Sequence, residues 1–254
     1  VVDSLIYGSA SLLPLLNHPS FDFRCLDILD RPEVAKALEG VDTIIHLAAI
    51  VGDRPCQRNP RVAVEVNRNA THLLAEEARR AGIRRFIFAS TCSTYGVSDT
   101  SAPASEDSPL NPVSLYAETK IDCERYLLNE ADEAFRPVIF RFGTAYGLSG
   151  RTRFDLLVNS FTYEAVRNHR IAVFGSGAWR PYIHVYDIAR ILVASVVHGP
   201  DGFEGRIFNA GTNAQNYQKW QIAEMIRLEL PNIQVDTIPD DSDRRSYRVD
   251  FTRL

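Results

Sequence analysis

Short apolar runs alternate with amphipathic stretches along almost the whole chain, and that pattern leaves few folds open to it. FDFRCLDI (Phe21–Ile28), DTIIHLAA (Asp42–Ala49), RFIFAST (Arg85–Thr91) and PVIFRFG (Pro137–Gly143) read as β-strands. Between them Pro32–Gly40, Pro60–Gly82 and Ser114–Glu133 carry helical spacing. IIHLAA and FIFAS are almost wholly apolar, the pattern of strands buried on both faces. Such alternation predicts an α/β fold with a mainly parallel sheet under helices.

Beyond Gly147 the rhythm loosens. A helix near Phe154–Asn168, a strand IAVFG, a turn GSGAW, a helix Val185–Val197, a strand IFNAG and a last helix near Tyr217–Leu230 are expected. The 254 residues suffice for a core domain and a smaller appendage. We expect a first domain over 1–145, with 183–211 a candidate to return to it, and a smaller mixed region over 146–254.

Charge narrows the choice of partner. With 32 acidic against 28 basic residues and no run of like charge, the chain lacks the bulk positive surface that nucleic-acid binding needs. No apolar stretch reaches the roughly 20 residues of a membrane span. Four scattered cysteines, Cys25, Cys56, Cys92 and Cys123, form no CxxC pair and read as reduced thiols of a cytoplasmic protein. His46 and His184 lie in apolar contexts and read as hydrogen-bonded core residues, and no spacing suggests a metal site.

One short stretch raises a chemical question. In SLYAETK, residues 114 to 120, helical spacing puts Tyr116 and Lys120 on one face, where a phenol and an ammonium can exchange protons or can simply be neighbours. Positions 116, 120, 123 and 127 form a single stripe that includes Cys123 and Leu127, so the lysine shares the packed face and needs a partner or ligand to offset its desolvation. Ser114, after Pro112, suits the cap of this helix. Some twenty residues earlier, ASTCSTYG (Ala89–Gly96) ends a buried strand. Its hydroxyls, Ser90, Thr91 and Ser93, either emerge into the crevice beyond the strand ends or cap a turn.

Together, S/T-x-x-x-Y-G followed by Y-x-x-x-K resembles the extended short-chain dehydrogenase/reductase family of nucleotide-sugar epimerases and dehydratases. HLAAIVGD (His46–Asp53), VNRNAT (Val66–Thr71) and RPYIHVYDIA (Arg180–Ala189) resemble further motifs of that family in family order, so the likeness runs through nearly the whole chain. It implies a Rossmann-type, doubly wound sheet with a small substrate region.

The resemblance also implies roles. Tyr116 would be the general acid or base, Lys120 would lower its pKa and hold the nicotinamide ribose, and Thr91 would bond the reacting sugar oxygen. A phenol titrates near ~10, so it serves at neutral pH only where positive charge favours the phenolate. NAD is the implied cofactor. Asp3 would bond the adenosine ribose and exclude a 2′-phosphate, and Asp27 and Ile28 would lie beside adenine. Leu47, Ala48 and Ala49 would line the dinucleotide with Asn67 behind them, although Ala48 and Ala49 suit close strand packing nearly as well. Ser90, Phe142 and Gly143 complete the expected cofactor set.

The family's glycine-rich phosphate turn is absent, and VVDSLIYG at the start resembles the end of a second strand, so that turn is expected upstream of Val1. Dehydratases of the family carry Asp-Glu after the catalytic threonine, whereas here those places hold Cys92 and Ser93. That disfavours elimination and leaves epimerisation through transient oxidation of a carbinol carbon, with ketosugar reduction, a 4,6-dehydratase and a non-catalytic dinucleotide-binding protein as alternatives. For a nucleotide-diphosphate sugar the resemblance points to Cys92, Ser93, Thr144, Asn159, Arg180, Asp243 and Arg245; for Arg180 a surface salt bridge is the competing reading. The helices Pro60–Gly82 and Ser114–Glu133 would pair two copies into a homodimer.

Overall fold

The computed structural model describes residues 1–98, 101–198, 203, 206–239, 243 and 245–254. They group into two compact units: Val1–Thr91, Ser114–Phe140 and Ile191–Ile207 form the first, and Cys92–Val113, Arg141–Arg190 and Phe208–Leu254 form the second.

In the first unit, β1 (Val2–Asp3) pairs in parallel with β2 (Arg24–Cys25), which is much shorter than the run Phe21–Ile28 suggested. Helix α1 (Arg31–Ala37) follows, capped by the Asp30 carboxylate on the Glu33 N–H. β3 (Thr43–His46) pairs in parallel with β4 (Arg85–Thr91). Between these strands lie α2 (Asp53–Arg58), α3 (Pro60–Val64), a π-helical turn at Glu65–Asn69 and α4 (Ala70–Arg80). Helix α5 (Leu115–Asn129) starts where Ser114 accepts the Ala117 N–H at 3.3 Å, and β5 (Arg136–Phe142) comes next.

The main sheet runs β3, β4, β5 and then the strand Arg206–Ala210. Its fold is α/β and Rossmann-like, with a parallel sheet. Phe86, Phe88 and Ile139 from the strands, Leu74 and Ala78 from α4, and Cys123 and Leu127 from α5 share one buried core. β3 behaves differently from its sequence: Ile44 and His46 are buried while Ile45 is 41% exposed. As the last strand of the order it is covered on one face, and residues 47–49 leave the ladder.

The second unit carries β6 (Thr144–Tyr146), α6 (Leu157–Asn168), β7 (Arg170–Phe174), β8 (Trp179–His184), α7 (Val185–Val197, which begins there), β9 (Arg206–Ala210, which ends there), β10 (Asn216–Gln218), α8 (Lys219–Glu229) and β11 (Gln234–Ile238). β8 lies between antiparallel β10 and parallel β6, and β7 pairs in parallel with β11. The segment 92–113 is stitched together internally. Gly96 has φ +56, and a Cβ there would stand 1.7 Å from the Asn111 carbonyl oxygen, so only glycine admits this approach. Nearby the Asn111 N–H donates to Thr94 O at 3.1 Å.

Candidate active site

The first unit brings Thr91, Tyr116 and Lys120 to the carboxyl end of β4. Lys120 is 2% exposed; its Nζ donates to Ala89 O at 2.8 Å and stands 4.5 Å from the Phe88 ring centroid and 5.9 Å from that of Tyr116. Burial lowers its pKa to about 8, opposed by the electrostatic influence of Cys123, Glu124 and Cys56. Lys120 and Tyr116 lie one turn apart on α5, and Thr91, half-buried, ends β4. Ser90 is buried, and its hydroxyl donates to the Glu124 carboxylate.

His46 shows why a buried histidine need not be a ligand. Its Nε2 lies 2.9 Å from Thr71 Oγ1, and that hydroxyl donates to Asn67 O at 2.7 Å, so the imidazole nitrogen is the donor. Burial, with the Lys120 charge second, lowers its pKa to about 3 and keeps the ring neutral. His184 is half-buried, with Nδ1 accepting the Tyr186 N–H at 3.2 Å. Among the described residues no group of three or more His, Cys, Asp or Glu side chains is placed to hold a metal ion.

The expected cofactor residues of this unit fall into two kinds. Asp3 and Asp27 are exposed carboxylates at or just beyond the ends of the parallel strands β1 and β2, and each turns Oδ1 onto a backbone N–H two residues on, of Leu5 at 2.6 Å and Leu29 at 3.0 Å. Ile28 is buried, Leu47 is exposed, and Ala48 and Ala49 are half-buried. Asn67 is buried with its amide spent on Ile50, whose N–H it accepts at 2.7 Å and whose carbonyl it caps at 3.0 Å, so it shapes the backbone that follows Ala49. Exposed carboxylates able to accept from hydroxyls and a fixed ammonium able to donate are chemistry that fits a dinucleotide.

In the second unit Cys92 and Ser93 are buried, and the Cys92 thiol donates to Arg141 O at 3.1 Å. Phe142 is buried, the Gly143 N–H donates to Ala210 O at 3.2 Å, and Thr144 lies opposite Tyr182 in the β6–β8 register. Asn159 spends its side chain on backbone, accepting the Gly147 N–H at 3.0 Å and donating to Arg153 O at 3.1 Å.

Arg180, Asp243 and Arg245 do come together. Arg180 is 6% exposed, so it is no surface ion pair; it meets Asp243 at 2.9 Å, donates to Trp179 O and Arg245 O, and lies 5.3 Å over the Tyr247 ring. Arg245 meets the other carboxylate oxygen at 2.7 Å, and Lys219 lies 3.7 Å from Asp243. Burial would raise the Asp243 pKa, but the Arg245 hydrogen bond and the charges of Arg180, Arg245 and Lys219 hold it well below the carboxylate range. Among the described residues, Arg180, Arg245 and Lys219 thus converge on one carboxylate.

Sequence reasoning missed Lys219 and also a buried polar network. Tyr95 donates to Asn209 Oδ1 at 2.7 Å and accepts from Arg141 at 3.0 Å, while Glu106 accepts the Asn209 N–H at 2.8 Å. It missed Glu124 as well, although an acid four residues after Lys120 was the available signal.

The model of the family described as NAD dependent epimerase/dehydratase matches residues 2–211. The chain belongs to that family. Members are NAD-dependent and include epimerases and 4,6-dehydratases of nucleotide sugars. The chain is 34% identical over 185 residues to the uncharacterised UDP-glucose epimerase YtcB of Bacillus subtilis (strain 168), a match that takes in 70% of this chain and 56% of the relative. It is 28% identical over 261 residues to the dTDP-glucose 4,6-dehydratase of Streptomyces griseus, covering 100% of this chain and 77% of that one. Among solved structures DesIV, a dTDP-glucose 4,6-dehydratase from Streptomyces venezuelae with NAD and TYD bound, superposes with a TM-score of 0.87 at 26% identity over 99% of this chain and 78% of its own.

Proposed function

We propose that the protein catalyses NAD-dependent epimerisation of a nucleotide-activated sugar. One observation carries the choice within the family: the residue after Thr91 is a buried thiol, Cys92, whose hydrogen is directed to Arg141 O. Elimination needs an acid to protonate the leaving hydroxyl and a base for the neighbouring proton, and Cys92–Ser93 supplies neither.

NAD, when bound, accepts and returns hydride. Tyr116 takes the proton of the carbinol hydroxyl and gives it back; Lys120 favours the phenolate and holds the ribose; Thr91 bonds the reacting oxygen. Asp3 and Asp27 accept from the adenosine side, with Leu47, Ala48 and Ala49 along the dinucleotide. Arg180, Arg245 and Lys219 attract the diphosphate, with Asp243 fixing the two arginines. Relatives that act on UDP- and dTDP-sugars support this substrate class. A homodimer belongs to the same proposal.

Dehydration is the second reading, supported by the likeness to the two dTDP-glucose 4,6-dehydratases. The test is to incubate the protein and NAD with UDP-, dTDP-, GDP- and CDP-sugars and to separate the products by mass and stereochemistry. A sugar isomer of unchanged mass sustains epimerisation; a product lighter by one water overturns it.

A further inference from the structure

Glu124 stands one helical turn beyond Lys120 on α5, the same relation that links Lys120 to Tyr116. It is 2% exposed, and a carboxylate at that depth needs partners to offset its desolvation. Its Oε1 accepts the Ser90 hydroxyl, while Ala89, the preceding residue of β4, accepts from Lys120 at 2.8 Å. Consecutive strand residues therefore hold consecutive turns of the helix, immediately before Thr91.

We propose that Glu124 is a positioning residue for the Tyr116–Lys120 pair, seating α5 on the end of β4 and keeping the Lys120 ammonium protonated. The proposal rests on the roles assigned to those two residues above. The groups facing Lys120 are His46 from β3, Cys56 from α2, the Phe88 ring from β4, and the Tyr116 ring, Cys123 and Glu124 from α5. His46 is neutral, and burial pushes the Cys56 thiol up and that of Cys123 to about 11. Glu124 supplies the carboxylate in this set of described groups.

The sign of the pH effect follows. Lys120 titrates at about 8 in the fold against an ordinary 10.5, so between those values the unfolded chain binds the extra proton and stability rises with pH. Glu124→Gln keeps an acceptor for Ser90 but loses the charge. It should bring the onset of that rise down by about one pH unit, and the alkaline limb of the kcat/KM profile with it.

The test is to measure urea midpoints of the wild type, Glu124→Gln, Glu124→Asp and Lys120→Met from pH 6 to 11, and kcat/KM profiles of the first three. Lys120→Met should lose the rise and so assign it to Lys120; Glu124→Asp, which keeps the charge, should keep the wild-type onset. An onset unmoved in Glu124→Gln overturns the proposal. Should Glu124→Gln not fold, a Glu124→Asp onset displaced from the wild type overturns it instead. A moved onset in a protein whose wild type turns over none of the sugars sustains the effect of Glu124 on Lys120 and discards the functional reading beneath it.

Discussion

The Lys120 ammonium donates to the Ala89 carbonyl at 2.8 Å while the Tyr116 ring, one turn back on the same helix, has its centroid 5.9 Å from that nitrogen. The strand thus fixes the cation, and the helix fixes its distance from the phenol. A charge held in this way costs no reorganisation when a proton moves.

Replacing the phenol tests this arrangement most directly. Tyr116→Phe removes the proposed proton carrier from a half-buried position on α5 and keeps the ring. Turnover of the sugar should fall by roughly 10²–10⁴-fold, the usual worth of a positioned acid or base, while far-ultraviolet circular dichroism stays unchanged. Undiminished product formation would remove Tyr116 from the mechanism.

The cationic cluster predicts an acid-sensitive part of the stability. Asp243 titrates below its ordinary value of 3.8, so its contribution is present above that pH and is lost as pH falls through the folded value. Asp243→Asn should be less stable than wild type at pH 7 and should lose less on acidification below pH 4, read as urea midpoints. Parallel curves for the two proteins would show that the cluster does not stabilise the fold.

Gly96→Ala should destabilise by about 2 kcal/mol or more, because a left-handed φ and a backbone clash act together. The clash is with the Asn111 carbonyl, which has no flexible end to yield. A denaturation midpoint equal to that of wild type would contradict it.

Thiol reactivity gives a test independent of function. Cys25 is exposed, whereas Cys56, Cys92 and Cys123 are buried. An aromatic disulfide reagent at pH 8 should titrate one thiol quickly in the native protein and four in denaturant. Fast loss of a second native thiol would place one of the buried cysteines within reach of solvent.

Legibility in the sequence followed the range of the interaction. Ser114, Tyr116 and Lys120 lie within two helical turns, so spacing alone revealed the cap and the shared face, and the apolar setting of His46 revealed a core residue. Arg180, Asp243 and Arg245 were marked by motif likeness, but Lys219 joins them only through the packing of α8, which no local pattern announces. β8 was visible as a motif and not as a strand, since WRPYIH mixes charge and proline into a short ladder. The grouping of Cys92–Val113 with the chain's end depends on bonds such as Ala104 N–H to Arg248 O at 2.9 Å, formed across almost 150 residues, a distance at which local pattern carries no information. The hydrogen bonds of Asn67 to Ile50, and the π-helical turn that interrupts what reads as one helix from Pro60 to Gly82, had no local signal.

That turn sets the regularity of one helix against the packing of its surroundings. Removing a single codon from Glu65–Asn69 would let α3 run into α4 with ordinary hydrogen bonding, a gain for the helix as such. Every side chain on the amino-terminal side would then swing by about 100° about the axis, and the asparagine clamp would miss the loop it now braces. Buried Cys56, Ala63 and Asn67 would leave their places with it, so the more regular helix would belong to the less stable protein.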